Sequence, residues 1–330
     1  MSAGPSLSKD AFTVVVVAPV YRDWNCAALL CRDLDIHCAR VPDLKLHVLL
    51  VDDGSPEGTL GWESFDPGRL LSIKVLVLRR NLGHQRAIST ALCHVHTEVD
   101  CDAVLVMDAD GEDRPEDAIR LIELARHDPS RIRFAERRRR LENRIFRSGY
   151  MLYRWSHYLL TGVPVRVGNF SIVPRQSLGR LVCMSELWNH YVGCIFRSKL
   201  PFDLLPTNRG MRYSGQSQMN LISLVNHGLA GIATFQDVVA TRFLLANIFL
   251  VCLVLFALAA VTLVRFMTDL AVPGWATYSA GLLILLLAQL AAISFSLVFM
   301  LITSRNNLLF IPIRDYKIFV DRVDSIWCAA

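Results

Sequence analysis

Two carboxylates one residue apart follow a short apolar run in the first half of the chain. The run Val104–Met107 leads into Asp108 and Asp110, and Gly111 then opens a turn before a helical stretch. In an extended segment, side chains at positions i and i+2 point the same way, so both carboxylates can face one cation. Mg²⁺ and Mn²⁺ prefer oxygen ligands from carboxylates and phosphates. The pattern therefore predicts a divalent-cation site at Asp108 and Asp110.

A second acidic strand end lies earlier in the sequence. The apolar stretch Leu46–Val51 is followed by Asp52 and Asp53, whose carboxylates can accept hydrogen bonds from a nucleoside base and from ribose hydroxyls. An ordinary Asp-Gly turn is the alternative interpretation. Arg79–Arg86 also follows a strand and opens a helix. Helix-start N–H groups together with Arg80 or Arg86 can hold a diphosphate there, unless the segment is only a strand–helix turn. Together these strand ends favour a nucleotide-sugar site.

Strand and helix signals alternate from residue 12 to residue 135. Strands alternating with helices of this length predict an α/β fold, with a mostly parallel sheet covered by helices on both faces. Ligands of such sheets bind outside the carboxyl ends of the strands, where both acidic motifs lie. The predicted strands are Thr13–Ala18, Leu46–Val51, Ile73–Leu78, Ala103–Met107 and Ile132–Ala135, and the predicted helices are Trp24–Arg40, His84–His96 and Pro115–His127.

Two long apolar runs follow residue 242. Residues 243–264 form 22 consecutive positions without a charge, and residues 270–304 form 35. About 20 helical residues cross a hydrocarbon core of roughly 30 Å, so we expect two transmembrane helices; two buried core helices are the alternative. The segment that connects the two apolar runs has one basic residue, whereas the tail after the second run has four. This asymmetry predicts that both ends of the helix pair lie in the cytosol. We therefore expect an integral protein of an inner or plasma membrane, with its catalytic domain cytosolic.

Other residue patterns bear on membrane contact, on the state of the cysteines, on metal binding by histidines and on binding of nucleic acid. Arg137–Arg140 leads into the aromatic stretch Tyr150–Leu160, a composition typical of a helix in the lipid headgroup region; a solvated basic face before an ordinary amphipathic helix is the alternative. The nine cysteines contain no Cys-X-X-Cys pair and indicate reduced, packed thiols. The spacing of His84, His94 and His96 is more typical of surface or core histidines than of a metal site. The net charge of +5 is modest, and no nucleic-acid partner is expected.

Four short motifs occur in a fixed order along this region. They are Pro19-Val20-Tyr21, Asp52-Asp53-Gly54-Ser55, Asn81-Leu82-Gly83 and Asp108-Ala109-Asp110. Their order and spacing resemble the GT-A fold of family 2 inverting glycosyltransferases, and the residues at 113–116 resemble the Asp-Pro-Pro-Glu that follows the metal motif there. With the basic segment and two terminal spans, the layout is similar to polyprenyl-phosphate glycosyltransferases, the relatives of dolichol-phosphate mannose synthase. The resemblance is specific over residues 12 to about 140 and looser over 141–242.

The resemblance implies a role for each matching residue. The predicted catalytic residues are Asp108, Asp110 and Asp113, with Asp108 and Asp110 as metal ligands. Nucleotide binding is assigned to the strand ends and helix start, at Pro19, Tyr21, Asp52, Asp53, Asn81, Arg86 and Asp108. Binding of the acceptor phosphate is assigned to Arg137, Arg140, Arg144, Ser217 and Gln218.

Two positions depart from the family pattern. The segment Arg212–Gln218 looks like the family's Arg-X-X-Gly-X-Ser-Lys, near the lipid-facing mouth, but Gln218 replaces the lysine. Asn169 stands where many of these enzymes have an acidic residue, and an asparagine cannot act as a base. A lipid phosphate is already anionic at neutral pH and needs no base before it attacks a sugar carbon. A hydroxyl acceptor would need one, for which Asp113 and Glu186 are the candidates.

These observations support one principal hypothesis and two alternatives. The first is a metal-dependent glycosyltransferase that uses Mg²⁺ or Mn²⁺ to move a sugar from a UDP- or GDP-type nucleotide sugar to a polyprenyl phosphate. The alternatives are a GT-A glycosyltransferase acting on another membrane lipid or a glycan, and a non-catalytic membrane binding protein. Whether the chain forms a homo-oligomer stays open. We divide it into a nucleotide-sugar-binding GT-A domain (1–140), an acceptor-side region with amphipathic interfacial helices (141–242), two transmembrane helices (243–304) and a cytosolic tail (305–330).

Overall fold

The computed structural model describes residues 11–56, 67–137, 144–164, 167–214, 221–268, 274–306 and 310–329. The chain forms two compact units. The first comprises residues 1–155, 163–234 and 310–330, and the second comprises residues 156–162 and 235–309. The first unit contains the sheet and both acidic motifs, so the candidate site belongs to it.

The first unit is built on an eight-stranded sheet with the order β7-β5-β6-β4-β1-β2-β3-β8. Its strands are β1 (Phe12–Val20), β2 (Leu44–Asp52), β3 (Ser72–Leu78), β4 (Ala103–Val106), β5 (Ile132–Arg137), β6 (Ser171–Pro174), β7 (Phe202–Thr207) and β8 (Val320–Cys328). Parallel pairing joins β3, β2, β1 and β4, and also joins β5 to β7. β6 and β8 pair antiparallel with their neighbours. The predicted mostly parallel α/β fold is confirmed.

The central strands are apolar on both faces because helices cover both sides of the sheet. On β1, Val14 and Val16 face one core, whereas Val15 and Val17 face the other. The helices on the first face are α1 (Trp24–Cys38) and α3 (Pro115–His127), and those on the second are α2 (His84–Glu98), α5 (Arg175–Val182) and α6 (Tyr191–Ser198). Six of the nine cysteines are buried and all are free, in line with packed thiols. Burial on both faces fixes the positions of the strand ends.

The sheet extends beyond the residues whose sequence patterns indicated strands. β6 has four residues, β7 contains Pro206, and β8 mixes charged with apolar side chains, so each lacks a clear buried-strand pattern. β8 lies within residues 305–330, expected to be a tail, and pairs antiparallel with β3. The sheet therefore draws strands from both sides of the long apolar helices in the sequence.

The second unit contains two long apolar helices, α8 (Gln236–Met267) and α9 (Trp275–Asn306). Each is long and apolar enough to cross a membrane, and only 11% and 6% of their most apolar stretches are buried, unlike a core helix of a soluble protein. Between them, Ser294 Oγ donates a hydrogen bond to the buried Asn247, at 3.3 Å. The two predicted apolar helices are confirmed, and their orientation in a membrane stays a prediction.

An amphipathic helix occurs within the predicted acceptor-side region. α4 (Arg144–Thr161) has four apolar side chains that are each more than half exposed, at Met151, Trp155, Tyr158 and Leu159. Their spacing places them along one face of the helix. This is the face that a helix in the headgroup region would present to lipid. The remaining elements are α7 (Leu221–Ala233), α10 (Pro312–Asp315) and short 3₁₀ helices at Ser185–Trp188 and Tyr316–Phe319.

Candidate active site

The acidic end of β2 holds the loop that precedes α2. Asp53 accepts hydrogen bonds from the backbone N–H groups of Leu82 and Gly83, at 2.7 and 2.9 Å. Burial raises the pKa of Asp53, and these two hydrogen bonds offset that effect only in part. Asp52 accepts a hydrogen bond from the Ser55 N–H at 2.8 Å. Both carboxylates therefore fix the backbone at this edge of the sheet.

Gly54 allows this loop to approach closely. Its φ is +72°, and a Cβ there would lie 2.6 Å from the backbone nitrogen of Asn81. Gly83 also has a positive φ, +89°, but a Cβ there would meet nothing within 4 Å. Gly54 is thus required both by the backbone conformation and by a neighbouring chain segment. The contact places the exposed Asn81 beside the acidic end of β2.

The acidic turn after β4 is shaped by its own carboxylates. Asp113 is only 2% exposed and accepts a hydrogen bond from the Asp108 N–H at 3.0 Å. Asp110 accepts a hydrogen bond from the Glu112 N–H, also at 3.0 Å. Burial raises the pKa of Asp110, and the neighbouring charge of Asp108 raises it further. Asp113, predicted to be catalytic, therefore lies buried inside the turn, where its contact supports the fold.

Two basic side chains face the acidic turn. His84 Nε2 lies 3.2 Å from Asp108 Oδ1, and Arg212 Nη1 lies 3.3 Å from Asp110 Oδ2. Burial lowers the pKa of His84, but Asp108 raises it, and the net shift is upward. From the sequence, a surface or core histidine is expected at position 84, and Arg212 is expected near a lipid-facing mouth. The structure brings both to the acidic turn, a long-range contact that no local pattern indicates.

The segment at 208–214 lies directly against the acidic turn. The backbone N–H of Gly210 donates to the Glu112 carbonyl at 2.8 Å, and that of Tyr213 donates to the Asp110 carbonyl at 2.9 Å. Arg212 adds an ion pair to Asp23 in addition to its contact with Asp110. Backbone hydrogen bonds and ion pairs therefore hold the 208–214 segment in place.

Three other residues predicted to bind nucleotide lie at the same edge of the sheet. Pro19 is buried near the end of β1, and Tyr21 follows it with 37% of its surface exposed. Arg86 is exposed in the first turn of α2, and its guanidinium lies 5.6 Å from the centre of the Trp188 ring. Their contacts with a nucleotide stay predictions.

The predicted acceptor residues are only partly described. Arg137 ends β5 and Arg144 begins α4, and the side chains of both lie outside the described part of the chain. Arg140, Ser217 and Gln218 lie outside the described residues altogether. Their assignment to an acceptor phosphate therefore stays a prediction.

The described residues fit a hard divalent cation that arrives with a phosphate ligand. They contain no group of three or more His, Cys, Asp and Glu side chains arranged as a metal site. Mg²⁺ is commonly held by one or two carboxylates together with substrate phosphates and water, so it needs fewer protein side chains than such a group provides. Burial and, to a smaller extent, the neighbouring charge of Asp108 raise the pKa of Asp110, and a cation at this point would offset both effects. Asp108 and Asp110 are the residues that would hold such a cation.

The chain belongs to glycosyl transferase family 2. The family model described as "Glycosyl transferase family 2" matches residues 16–181, which is half of the 330-residue chain. The matched segment runs from β1 into α5 and includes the acidic ends of β2 and β4. The family predicted from the sequence motifs is confirmed.

Curated relatives of this chain include glycosyltransferases. An undecaprenyl-phosphate 4-deoxy-4-formamido-L-arabinose transferase from Sodalis glossinidius is 34% identical over 118 residues, which cover 35% of this chain and 34% of that relative. The chain thus matches only about a third of that relative's length. An uncharacterized glycosyltransferase from Bacillus subtilis, YkcC, is 23% identical over 239 residues and covers 70% of this chain and 71% of its own length.

Among solved structures, similarity is found to glucosyl-3-phosphoglycerate synthase from Mycobacterium tuberculosis in complex with Mn²⁺, UDP-glucose and phosphoglyceric acid. The sequence identity is 15% and the TM-score is 0.49, with 70% of this chain and 80% of that chain covered. At this level of similarity the likeness adds no functional detail.

We expect Gly54→Ala to destabilise the protein more than Gly83→Ala. Both substitutions place a side chain on a backbone with positive φ, at a cost of about 1–3 kcal/mol each. Gly54→Ala also drives a Cβ into the backbone at Asn81, which should add about 1–3 kcal/mol. Thermal unfolding of the two purified variants measures the difference. Equal losses would contradict the close approach of this loop to Gly54.

We expect Arg212→Gln to lower the free energy of unfolding by about 1–3 kcal/mol, because Asp110 and Asp23 lose a charged hydrogen-bond donor. Arg209→Gln is the matched control from the same segment. Arg209 is more exposed and pairs with Glu112, a kind of contact that contributes about 0–1 kcal/mol. Denaturant unfolding and the rate of limited proteolysis within 208–214 are the measurements. Identical behaviour of the two variants would argue against Arg212 as the main attachment of the segment.

Proposed function

We propose that the protein is an inverting glycosyltransferase that moves a sugar from a UDP- or GDP-type nucleotide sugar to a polyprenyl phosphate at the cytosolic face of a membrane. The observation that carries the proposal is the convergence of Asp53, His84 and Asp108 at one edge of a family 2 sheet. Asp53 holds the start of α2, and His84, the first residue of α2, contacts Asp108. Nucleotide and cation sites would thus be adjacent.

The surroundings of the two candidate bases, Asp113 and Glu186, support a phosphate rather than a hydroxyl acceptor. Asp113 is buried and accepts a backbone hydrogen bond, and Glu186 is held by an ion pair with Arg197 Nε at 2.7 Å. Asn169 cannot accept a proton from an acceptor hydroxyl. An anionic phosphate needs no such base, so it is the acceptor that this arrangement suits best. The curated relative from Sodalis glossinidius is named for transfer to undecaprenyl phosphate, which agrees with this choice.

The membrane location is supported by exposed apolar surface in two places. α8 and α9 are apolar, long and mostly exposed, so lipid is the environment that satisfies them. α4 presents its own exposed stripe, which includes Trp155 and Tyr158, residues favoured at membrane interfaces. A lipid phosphate and a cytosolic nucleotide sugar would then meet at the headgroup level. In this proposal the 141–242 region binds the acceptor, and residues 1–140 bind the nucleotide-sugar donor.

The proposal gives the named side chains distinct tasks. When bound, a divalent cation at Asp108 and Asp110 would neutralise charge that develops on the departing diphosphate. The N–H groups at the start of α2, with Arg86, would hold the phosphates. Asp52 and Asp53 would keep the nucleoside-binding loop in place, with Pro19, Tyr21 and Asn81 beside it. The basic residues Arg137, Arg140 and Arg144, with Ser217 and Gln218, would hold the acceptor phosphate in line for attack on the sugar.

We expect Asp110→Asn to reduce sugar transfer by about 100-fold or more, because a carboxylate that offsets leaving-group charge is lost. Membranes containing the full chain are incubated with Mg²⁺, polyprenyl phosphate and a panel of radiolabelled UDP- and GDP-sugars. The expected product is a lipid that releases the sugar in mild acid. Glu123→Gln is the control, because Glu123 is an exposed carboxylate on α3, away from the acidic turn.

The same experiment separates the alternatives. Transfer to an endogenous lipid or glycan without acid-labile sugar phosphate would replace the proposed acceptor by another one. Normal turnover in Asp110→Asn would refute the metal assignment. The absence of both transfer and hydrolysis with every nucleotide sugar would favour a non-catalytic binding protein.

A further inference from the structure

The charge-free stretches of α8 and α9 contain two side-chain amides, Asn247 and Gln289, which differ in their surroundings. Asn247 is buried and accepts a hydrogen bond from Ser294, so its oxygen has a partner within the helix pair. Gln289 is exposed on α9, and within the described part of the chain no group forms a hydrogen bond with its amide. The surroundings of Gln289 therefore need an explanation.

Gln289 lies close to the middle of the predicted bilayer core. It is the central residue of the apolar helix stretch Trp275–Thr303. The contact between Asn247, near the start of α8, and Ser294, in the second half of α9, sets the register of the antiparallel pair and places Gln289 level with Cys252. Cys252 in turn lies near the middle of the charge-free stretch of α8. The lipid headgroups are then about 15 Å away, beyond the reach of a glutamine side chain.

A single copy of the chain would leave the Gln289 amide in hydrocarbon. Leu285 and Ile293, one turn before and one turn after it, are about half exposed, so the surrounding face of α9 is apolar. Burying an amide in an apolar medium is unfavourable unless the amide is hydrogen-bonded. Two exposed hydroxyls on these helices, those of Thr262 and Ser296, avoid this cost because each donates to a backbone carbonyl of its own helix, at 2.8 and 2.9 Å. The partner of Gln289 must come from another molecule in the bilayer.

A second copy of the chain offers the required group at the required depth. A carboxamide contains both a donor and an acceptor, so two Gln289 side chains related by a two-fold axis can exchange two hydrogen bonds. Copies inserted with the same topology hold Gln289 at the same level, whereas lipid tails have no hydrogen-bonding group there. Ala292 and Ser296 lie on the same side of α9, and both are small and exposed, so two such helices can approach closely.

We propose that the chain forms a homodimer in the membrane, in which the α9 helices of two copies pack together and their Gln289 amides hydrogen-bond to each other across a two-fold axis. The contact depends on the membrane location given under the proposed function, but not on the reaction or its substrates. It gives the face of α9 around Gln289 a specific occupant, a second copy of this chain.

Energy transfer between labelled copies in lipid vesicles measures the association. Full chains fused to a donor or an acceptor fluorophore are reconstituted together in phosphatidylcholine vesicles over a range of protein-to-lipid ratios. We expect Gln289→Leu to weaken dimerisation by about 3- to 30-fold, because the hydrogen bonds between the two amides are lost. Thr262→Val is the matched control, because Thr262 is also an exposed polar residue of these helices but has its partner within its own helix. It should associate like the wild type.

Disulfide cross-linking in the same vesicles tests the geometry of the contact. The exposed Cys183, Cys252 and Cys328 are first replaced by alanine, so that they cannot form disulfides between copies. We expect Gln289→Cys in this background to give a cross-linked dimer on mild oxidation, because a residue beside a two-fold axis meets itself. Ile284→Cys is the control, since Ile284 is also exposed but lies about 140° around the helix from Gln289. It should remain monomeric.

The outcomes separate this contact from the proposed function. A chain that stays in carbonate-washed membranes but shows no energy transfer would overturn the dimer and leave the proposed glycosyl transfer intact. Equal association of the wild type and Gln289→Leu, or cross-linking through Ile284→Cys instead of Gln289→Cys, would also overturn the proposed contact. Release of the chain by carbonate would refute the membrane location itself, and with it both the dimer and the membrane part of the proposed function.

Discussion

Negative charge gathered at one edge of the sheet is the constraint on which the rest of this structure depends. Burial on both faces holds the ends of β2 and β4 in place, and Asp53, Asp108 and Asp110 follow these strand ends at one edge. The raised pKa values of Asp53 and Asp110 express the free-energy cost of holding charge where water is partly excluded. Backbone N–H groups, His84 and Arg212 offset part of that cost.

This compensation also connects parts of the chain that are distant in sequence. Asp53 holds the start of α2 through the two N–H groups that precede it, and Asp110 with Asp23 holds the 208–214 segment through Arg212. Any cation that binds at this edge competes with side chains already in contact with the carboxylates. Binding of a cation and the arrangement of these neighbouring segments are therefore coupled through shared carboxylates.

The sequence predicted what local patterns can encode. The apolar runs of β1, β2 and β4 predicted parallel strands, and the carboxyl ends of such strands meet at one edge, so the acidic residues after them were expected to be neighbours. β6 and β8 were missed because four residues, or a strand with Asp321 and Arg322 in it, do not produce a buried-strand pattern. The contacts of His84 and Arg212 were missed because they depend on how distant segments pack.

The interpretation of Asn169 changes once its neighbours in the structure are known. In the sequence, Asn169 stands where many of these enzymes have an acidic residue, so one candidate base is missing. In the structure its amide belongs to a chain of hydrogen bonds that begins at a backbone N–H and ends at His84. An aspartate at this position could only accept hydrogen bonds from Gln85 and His84, whereas the asparagine accepts from Gln85 with its oxygen and places its NH₂ group toward His84. The substitution therefore changes the polar group that His84 meets beside Asp108.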